Sequence, residues 1–501
     1  MFEDRRSIMS KITDQQDNIS EINNIDSKYQ KALQKFNKFP ESKNARELAF
    51  TVLYQVYTLN AFSDIAINRT YNNSKLNEQE KSTATAFILG TINETFSLDN
   101  IIKKLSKTKI NKLDPRVLVI LRLGLWQIYF SNQAEHAIVS ETVKLCKRFG
   151  VSSATSLVNA VLRNSLRKIH KENLNNIEAN KYDKAGFTKE LYEHFLYELG
   201  DENEVNKLAK FLKGSPELNV RIRFNSEDTK SNQVKQVTKL LNEEEISIIP
   251  AYFQEDSLHL NLNGKSLHQS EAWKSGEIKA QGESAMLPAI ALNPQAHENI
   301  ADICAAPGGK TIQISDLSKG KAYILASDIQ EHRIDLLNSE LKRLGIQNVK
   351  TRIADASNIE QWRNYENYFD KVLLDVPCSG LGLLQSKPEL RLSWSQEGIK
   401  ELIEIQQKIL NVASYILKPG GLMLYSTCTL NTAENSNQVN NFIKDNPNHS
   451  LVSMRDNLAE ILDNLINLDS SLEQQVDKGE ITLWPQKVMS EGFYLALIKK
   501  L

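Results

Sequence analysis

Three kinds of order in this chain of 501 residues predict a multidomain protein: an all-α domain, a small α+β module and a large α/β domain. From about Gly276 onward, short apolar runs alternate with turns and helical periodicity, as in a doubly wound sheet with a mostly parallel core. Between Asn44 and Ile169, apolar residues recur at helical spacing and nothing reads as a strand. Between these regions, a helical stretch is followed by strict alternation over Asn219–Asn225, which suits a small mixed module.

Residues 1–40 are rich in Gln, Asn, Asp, Ser and Lys. A disordered tail is expected there, with a short helix near Tyr29–Phe36. The all-α domain spans 41–170, and its first helix carries Leu48, Phe50, Val52, Leu53, Val56 and Tyr57. Further helices are expected over Glu78–Thr95, Leu113–Phe130, Ile138–Phe149 and Ser153–Ile169. Asp114 can cap one of them, with Pro115 tolerated in its first turn. A polar run over 171–185 reads as a linker, and the α+β module covers 186–275. That module has helices over 188–213 and Lys230–Asn242, and strands at Asn219–Asn225 and Leu258–Leu262. In 276–501 the candidate strands are Asn299–Ile303, Ala322–Ser327, Val349–Ile353, Lys371–Asp375, Leu422–Ser426 and Phe493–Ile498. Helices at Gln330–Leu344 and Ile399–Leu417 lie between them, and the polar stretch 455–482 reads as a variable insertion.

Composition, 41 % hydrophobic and 25 % charged, is that of an ordinary globular protein. The longest nearly apolar stretch, Val117–Phe130, contains Arg122 and is too short to cross a bilayer. No apolar run follows the first six residues, so no secretory signal is expected. Four cysteines without C-x-x-C spacing argue against a disulfide framework or a zinc ribbon, and predict reduced thiols, a cytoplasmic protein and no metal. The net charge of −1 hides an asymmetry. Residues 41–170 hold 18 basic against 10 acidic residues, and 281–501 hold 21 against 27. A basic front suits a polyanionic partner. Arg163, Arg167 and Lys168 near one helix end, and Arg221 and Arg223 on one strand face, are candidate contacts to it.

The strand Asn299–Ile303 runs into Cys304–Gly309, a turn with one Pro and two adjacent Gly, and a helix begins near Lys310. Doubly wound sheets bind ligands at the carboxyl ends of strands, near helix N-termini, and Gly lets the backbone approach closely. The spacing is not G-x-G-x-x-G, which disfavours a dinucleotide. Asp328, Asp355 and Asp375 close the next three strands, and a carboxylate at Asp328 can bond ribose hydroxyls. Two cysteines follow, fifty positions apart. Cys378 sits in Asp375-Val376-Pro377-Cys378-Ser379-Gly380 and Cys428 in Ser426-Thr427-Cys428-Thr429. A thiol nucleophile, a Pro-Cys partner and a cofactor loop point to methyl transfer onto C5 of a pyrimidine. A thiolate adding at C6 would make C5 nucleophilic, and the base would have to leave its stack to be reached. Residue chemistry leaves open which of the two cysteines attacks. Cys304 reads as a buried loop residue and Cys146 as core.

These stretches resemble the RsmB (Sun) branch of the Nol/Nop/Sun family of RNA cytosine-C5 methyltransferases. The matching runs are Asp302–Thr311, Asp375–Gly380, Ser426–Thr429 and Glu491-Gly492-Phe493. Arg46-Glu47-Leu48-Ala49 and Leu157–Arg163 resemble the NusB-like RNA-binding domain that marks this branch. The resemblance leaves out only the 40-residue tail. It implies a Rossmann-like class I methyltransferase domain, S-adenosyl-L-methionine as donor and one cytosine of 16S ribosomal RNA as target, in a bacterial cytoplasm. A monomer is the expected state. The resemblance wraps Cys304, Ala305, Ala306, Pro307, Gly308, Gly309 and Lys310 around the donor. It places Asp328 on the ribose, Asp355 near the adenine and Asp375 near donor and base. It assigns attack to Cys428 and product release to Cys378. Two departures stand out. The usual Gln-Asp-Glu reads Gln281-Gly282-Glu283, and Leu384–Trp394 lacks the Arg-Arg-His-Pro run. The same chemistry on transfer RNA is disfavoured by the NusB-like front. A non-catalytic assembly factor is disfavoured by the presence of both cysteines and all three acids.

Overall fold

The computed structural model describes residues 39–168, 180–224 and 230–501. The expected helix near Tyr29–Phe36, most of the expected linker and the side chain of Lys168 lie outside the described residues. The chain forms two compact units. One runs to Tyr192 and includes Lys387–Ser393; the other holds Glu193–Ser386 and Trp394–Leu501.

The described part of the first unit is all helical. Ala45–Leu59 starts at Asn44, whose side chain accepts from the backbone N–H groups of Arg46 and Glu47. Asp114 caps Pro115–Phe130 in the same way, with Pro115 in the first turn as the sequence predicts. That helix is apolar almost all round and is the buried centre of the unit, packed by Glu78–Asn93, Glu135–Arg148 and Thr155–Lys168. Its buried charge, Arg122, is held by Asp99 through two bonds of 2.8 Å, with the guanidinium 4.3 Å over the Tyr57 ring. Phe39, assigned to the tail by composition, packs edge-on against Tyr54 and Phe149 at 5.3 Å. Several helices were not expected, Lys181–Ala185 at the end of the expected linker and the short Leu390–Ser393 among them. Ser63–Asn72 buries only Ser63 and Ala66, so it carries no apolar stripe. Thr95–Leu105 follows the preceding helix after a single residue, without a Gly or Pro to separate them. Within the same unit, the Glu389 carboxylate accepts the Ser63 N–H at 3.0 Å and its hydroxyl at 2.7 Å. The loop that departs from the family pattern is thus partly structural. Among the described residues no helix is long and apolar enough to cross a membrane.

The second unit contains two sheets. The smaller is antiparallel, with β1 (Leu218–Ile222), β2 (Ser247–Pro250), β3 (Ser257–Asn261) and β4 (Ile278–Ala280) in the order β2-β3-β1-β4. Lys230–Glu243 packs Val237 and Leu241 against Val220, Ile222 and Leu258. The larger sheet holds β5 (Asn299–Asp302), β6 (Tyr323–Asp328), β7 (Val349–Ile353), β8 (Phe369–Asp375), β9 (Leu417–Thr427), β10 (His449–Leu451), β11 (Glu480–Leu483) and β12 (Phe493–Lys500). Its order is β10-β12-β9-β8-β5-β6-β7, with β11 on β12. Strands β5 to β9 are mutually parallel, and β12 runs antiparallel to β9. All six expected strands are present. The stretch 455–482, polar on average, is not confined to the surface. Ala459–Leu468 and Leu472–Lys478 bury Ile461, Leu462, Leu465, Leu472 and Val476 in the core. Asn, Asp and Glu between these positions mask a regular helical stripe.

Arg221 and Arg223 are likewise not on a free face. Arg221, 2 % exposed, donates to Asp316 Oδ2 at 2.7 Å, and Arg223 to Oδ1 at 2.8 Å. Both arginines are spent on tying the small sheet to the helix Gly309–Leu317. Alternation correctly put them on one face, but that face is covered by the larger domain. Removing Asp316 would leave two guanidinium groups without their counter-charge. Asp316→Ala should therefore cost about 3 kcal/mol or more in urea unfolding; a loss below about 1 kcal/mol would show the clamp to be marginal.

Candidate active site

The chain leaves β5 toward β6 but leaves β8 toward β9, on opposite sides. The carboxyl ends of β5 and β8 therefore flank a topological switch point, where a crevice opens for a ligand. The predicted cofactor loop and acids gather on this edge. Cys304–Gly308 leave β5, Asp375 ends β8, Asp328 ends β6 and Asp355 lies just beyond β7.

Gly308 has φ +103°, and a Cβ there would lie 2.3 Å from Leu337 Cδ1, so only Gly fits the turn. The helix Gly309–Leu317 has no side-chain cap, which leaves its first N–H groups facing the crevice end of the strand. Asp328 is buried and accepts from the Gln330 N–H at 3.0 Å. Its other oxygen pairs with Arg333 at 3.0 Å, and Arg333 also bonds the Ala306 carbonyl. Asp355 accepts from the backbone and hydroxyl of Ser357 at 2.8 and 2.7 Å. Asp375 accepts from Lys310 at 2.6 Å and from the Ser426 hydroxyl at 3.0 Å. Burial would lower the Lys310 pKa, but the Asp375 carboxylate outweighs it and holds the ammonium above its usual range, with Cys428 adding to this. Lys310 also sits 5.0 Å over the Phe493 ring.

The two cysteines meet, with Cys378 Sγ 3.4 Å from Cys428 Sγ. Their environments differ. The hydrogen bond to Cys428 pushes the Cys378 thiol well up, followed by burial and by the charges of Cys428 and Glu434. Burial likewise lifts the Cys304 thiol, and Cys146 lies in the helical core, so both fit the structural reading. The Gly382 N–H donates to the Cys428 carbonyl at 2.9 Å and the Gly492 N–H to the Gly382 carbonyl at 3.0 Å. A Cβ on Gly492 would fall 2.7 Å from the Gly382 Cα. The closing Glu-Gly-Phe run thus packs backbone to backbone against the Pro-Cys loop. At the Gln281-Gly282-Glu283 departure, the Glu491 carboxylate lies against Gly282, where a Cβ would come within 1.7 Å of its oxygen unless that side chain moved.

Three groups in the site were missed in sequence. Arg333 is five residues past Asp328, in the next helix; Glu434 lies in the polar run after Cys428. Asp302 ends β5, 1 % exposed, and accepts from Thr311 at 2.7 Å, while its second oxygen has no hydrogen-bond partner. Burial raises its pKa to about 7.

A doubly wound sheet whose switch point carries this glycine turn, rather than a dinucleotide fingerprint, is the architecture of a class I methyltransferase. The uncapped helix start and the acids on successive strand ends fit a cationic nucleoside donor. The family model "16S rRNA methyltransferase RsmB/F" matches residues 289–499, and the NusB family model matches 43–167. The chain is 30 % identical over 91 % of its length to a probable ribosomal RNA small subunit methyltransferase B of Synechocystis sp., covering 99 % of that protein. It is 27 % identical, with the same coverage, to its counterpart in Bacillus subtilis. The crystal structure of PH0851 shares the fold, with a TM-score of 0.74 and 22 % identity over 92 % of this chain and 99 % of that one. The chain belongs to the ribosomal RNA small subunit methyltransferase B family, whose methyl donor is S-adenosyl-L-methionine.

The raised pKa of Asp302 has a thermodynamic consequence. The folded protein keeps a proton that the unfolded chain releases at its ordinary carboxylate pKa of 3.8. Stability from this group is complete below that value and is lost as pH rises through about 7. Asp302→Asn, which cannot ionise, should gain stability relative to the native chain between pH 5 and pH 8 in urea unfolding. A stability difference that does not change with pH would mean that Asp302 is already ionised in the folded state.

Proposed function

We propose that the protein methylates C5 of one cytosine in 16S ribosomal RNA through a covalent adduct between Cys428 and C6. The observation that carries this reading is the 3.4 Å approach of Cys378 and Cys428 beside Lys310 and Asp375, at the crevice of the donor loop. Cys304 to Lys310 hold the donor, Asp328 its ribose, and Asp355 lies toward its adenine. When bound, the donor supplies the methyl group as an electrophile.

Electrostatics favour Cys428 as the nucleophile. Its charge is sensed by the Lys310 ammonium, whereas Cys378 is pushed toward the neutral thiol by Cys428 and Glu434. The Cys428 thiolate adds to C6, and the electron pair of the C5–C6 double bond moves toward C5 and the ring. Asp375 is placed to bond the N3 edge or the exocyclic amine and stabilise this adduct. Adduct formation makes Cys428 a neutral thioether, which removes the foremost cause holding Cys378 protonated. Cys378 can then lose its proton to water and, as thiolate, take the C5 proton after methylation. The C5–H electron pair restores the double bond, and Cys428 leaves as thiolate.

On this reading, residues 41–170 are an RNA-binding domain, 171–185 a linker, 186–275 a module that supports the site, and 276–501 the methyltransferase domain of a cytoplasmic monomer. Arg163 and Arg167 are exposed on their helix and suit contacts that position RNA without reading sequence.

Bisulfite sequencing of unmodified small-subunit ribosomal RNA, after incubation with protein and donor, should show one newly protected cytosine. No protection on naked RNA or on a small-subunit particle would overturn this reading. Cys428→Ala should abolish methyl transfer and keep donor binding by calorimetry; retained turnover would transfer the nucleophile role elsewhere. Cys378→Ala should accumulate a protein–RNA band that survives denaturation, and its absence during active turnover would remove Cys378 from release.

A further inference from the structure

Glu434 lies six residues past Cys428 and is 0 % exposed. Its carboxylate collects donors from both cysteine loops. The Ser379 N–H reaches Oε1 at 2.8 Å, and the Ser379 hydroxyl bonds Oε2. The Asn431 amide reaches Oε2 at 2.9 Å and the Gln406 amide reaches Oε1 at 3.2 Å. Gln406 also donates to the Pro377 carbonyl at 2.9 Å, and the Glu434 backbone carbonyl accepts from Tyr425 at 2.6 Å. Ser379 directly follows Cys378, and Asn431 is three residues past Cys428. Ser379 also meets Thr429 at 2.7 Å, which closes a ring of bonds between the two loops.

No ion pair to Glu434 is found among the described residues. A buried carboxylate held only by neutral donors is costly unless each lone pair is used, so the arrangement is exacting about geometry. The other charged and titratable groups around the pair are distributed unevenly. Glu434 acts on Cys378, and burial, Cys378, Glu434 and Cys304 all raise the Tyr425 pKa, with His194 near Glu434. Cys428 acts on Lys310, and Asp375 pairs with Lys310 at 2.6 Å.

We propose that Glu434 is the positioning residue of the cysteine pair: it clamps the Pro-Cys and Thr-Cys loops in one register and sets its negative charge on the Cys378 side. This rests on the reading in which Cys428 attacks and Cys378 releases. Two chemically identical thiols at van der Waals contact need an external field to make them inequivalent. Lys310 lies on the Cys428 side of that field and Glu434 on the Cys378 side, where its charge adds to burial and to Cys428 itself.

The test uses the full chain, without RNA or donor. Cys378 and Cys428 are alkylated with iodoacetamide across a pH series and quantified separately by mass spectrometry, with buried Cys146 reporting unfolding of the helical unit and Cys304, lifted by burial, that of the unit holding the pair. In the native protein, Cys428 should react at lower pH than Cys378. Glu434→Gln keeps the volume, removes the charge and puts an amide N–H among donors. It should move the Cys378 profile down by about one pH unit or more and leave Cys428 nearly in place. Glu434→Asp keeps the charge but withdraws it by a methylene. It should preserve the order of the cysteines and slow methylation about tenfold or more. Unchanged profiles in Glu434→Gln, or equal shifts of both cysteines with Cys146 and Cys304 protected, would overturn the proposal. If Glu434→Gln exposes Cys146 or Cys304, Glu434→Asp decides: a native rate overturns the clamp, and a slowed rate with the order kept supports it. Failure of the functional reading shows separately, as no methylated cytosine with the native protein.

Discussion

A parallel sheet cannot close its own switch point. Where neighbouring strands send their chains to opposite sides, the loops diverge and leave a gap that no local hydrogen bonding fills. In this protein the gap lies between β5 and β8, and nearly every functional group is placed by it. The glycine turn leaves one side of it and the Pro-Cys loop leaves the other. The Thr-Cys loop leaves β9, the neighbour of β8, so the second cysteine swings back over the first. The sheet supplies rigid strand ends, and the short segments that depart from them bring the candidate site residues together.

The crevice concentrates charge in a poorly solvated place, and the structure offsets it group by group. Asp375 has Lys310, Asp328 has Arg333, and Glu434 has neutral donors from two loops. Asp302 is the exception, with one oxygen unsatisfied and a pKa raised to about 7 by burial. The same logic separates the two thiols, because a charge placed asymmetrically beside a pair of like groups decides which of them ionises first.

Much of this was legible in the sequence because it was local. Six strands, the helix caps at Asn44 and Asp114, and the order of loop, acids and cysteines all follow from residue spacing. What failed were inferences that depended on what a face meets. Arg221 and Arg223 alternate as solvent-facing residues should, yet Asp316, more than ninety positions away, claims both. The stretch 455–482 is polar on average, yet its apolar residues form a buried stripe. Gly282, where the family pattern has an acid, lies against the Glu491 carboxylate, more than two hundred positions away.

The residues proposed to bind a donor and to attack a base were readable one by one, since glycine, aspartate and cysteine carry their chemistry wherever they stand. Their relation was not. Cys378 and Cys428 are fifty positions apart, and nothing in that interval states that their sulfurs lie 3.4 Å apart. Nor does it state that Lys310 lies on the side of one and Glu434 on the side of the other. Inequivalence of like groups is a property of the surrounding field, and a field is set by distances that exist only once strands β5, β8 and β9 lie side by side.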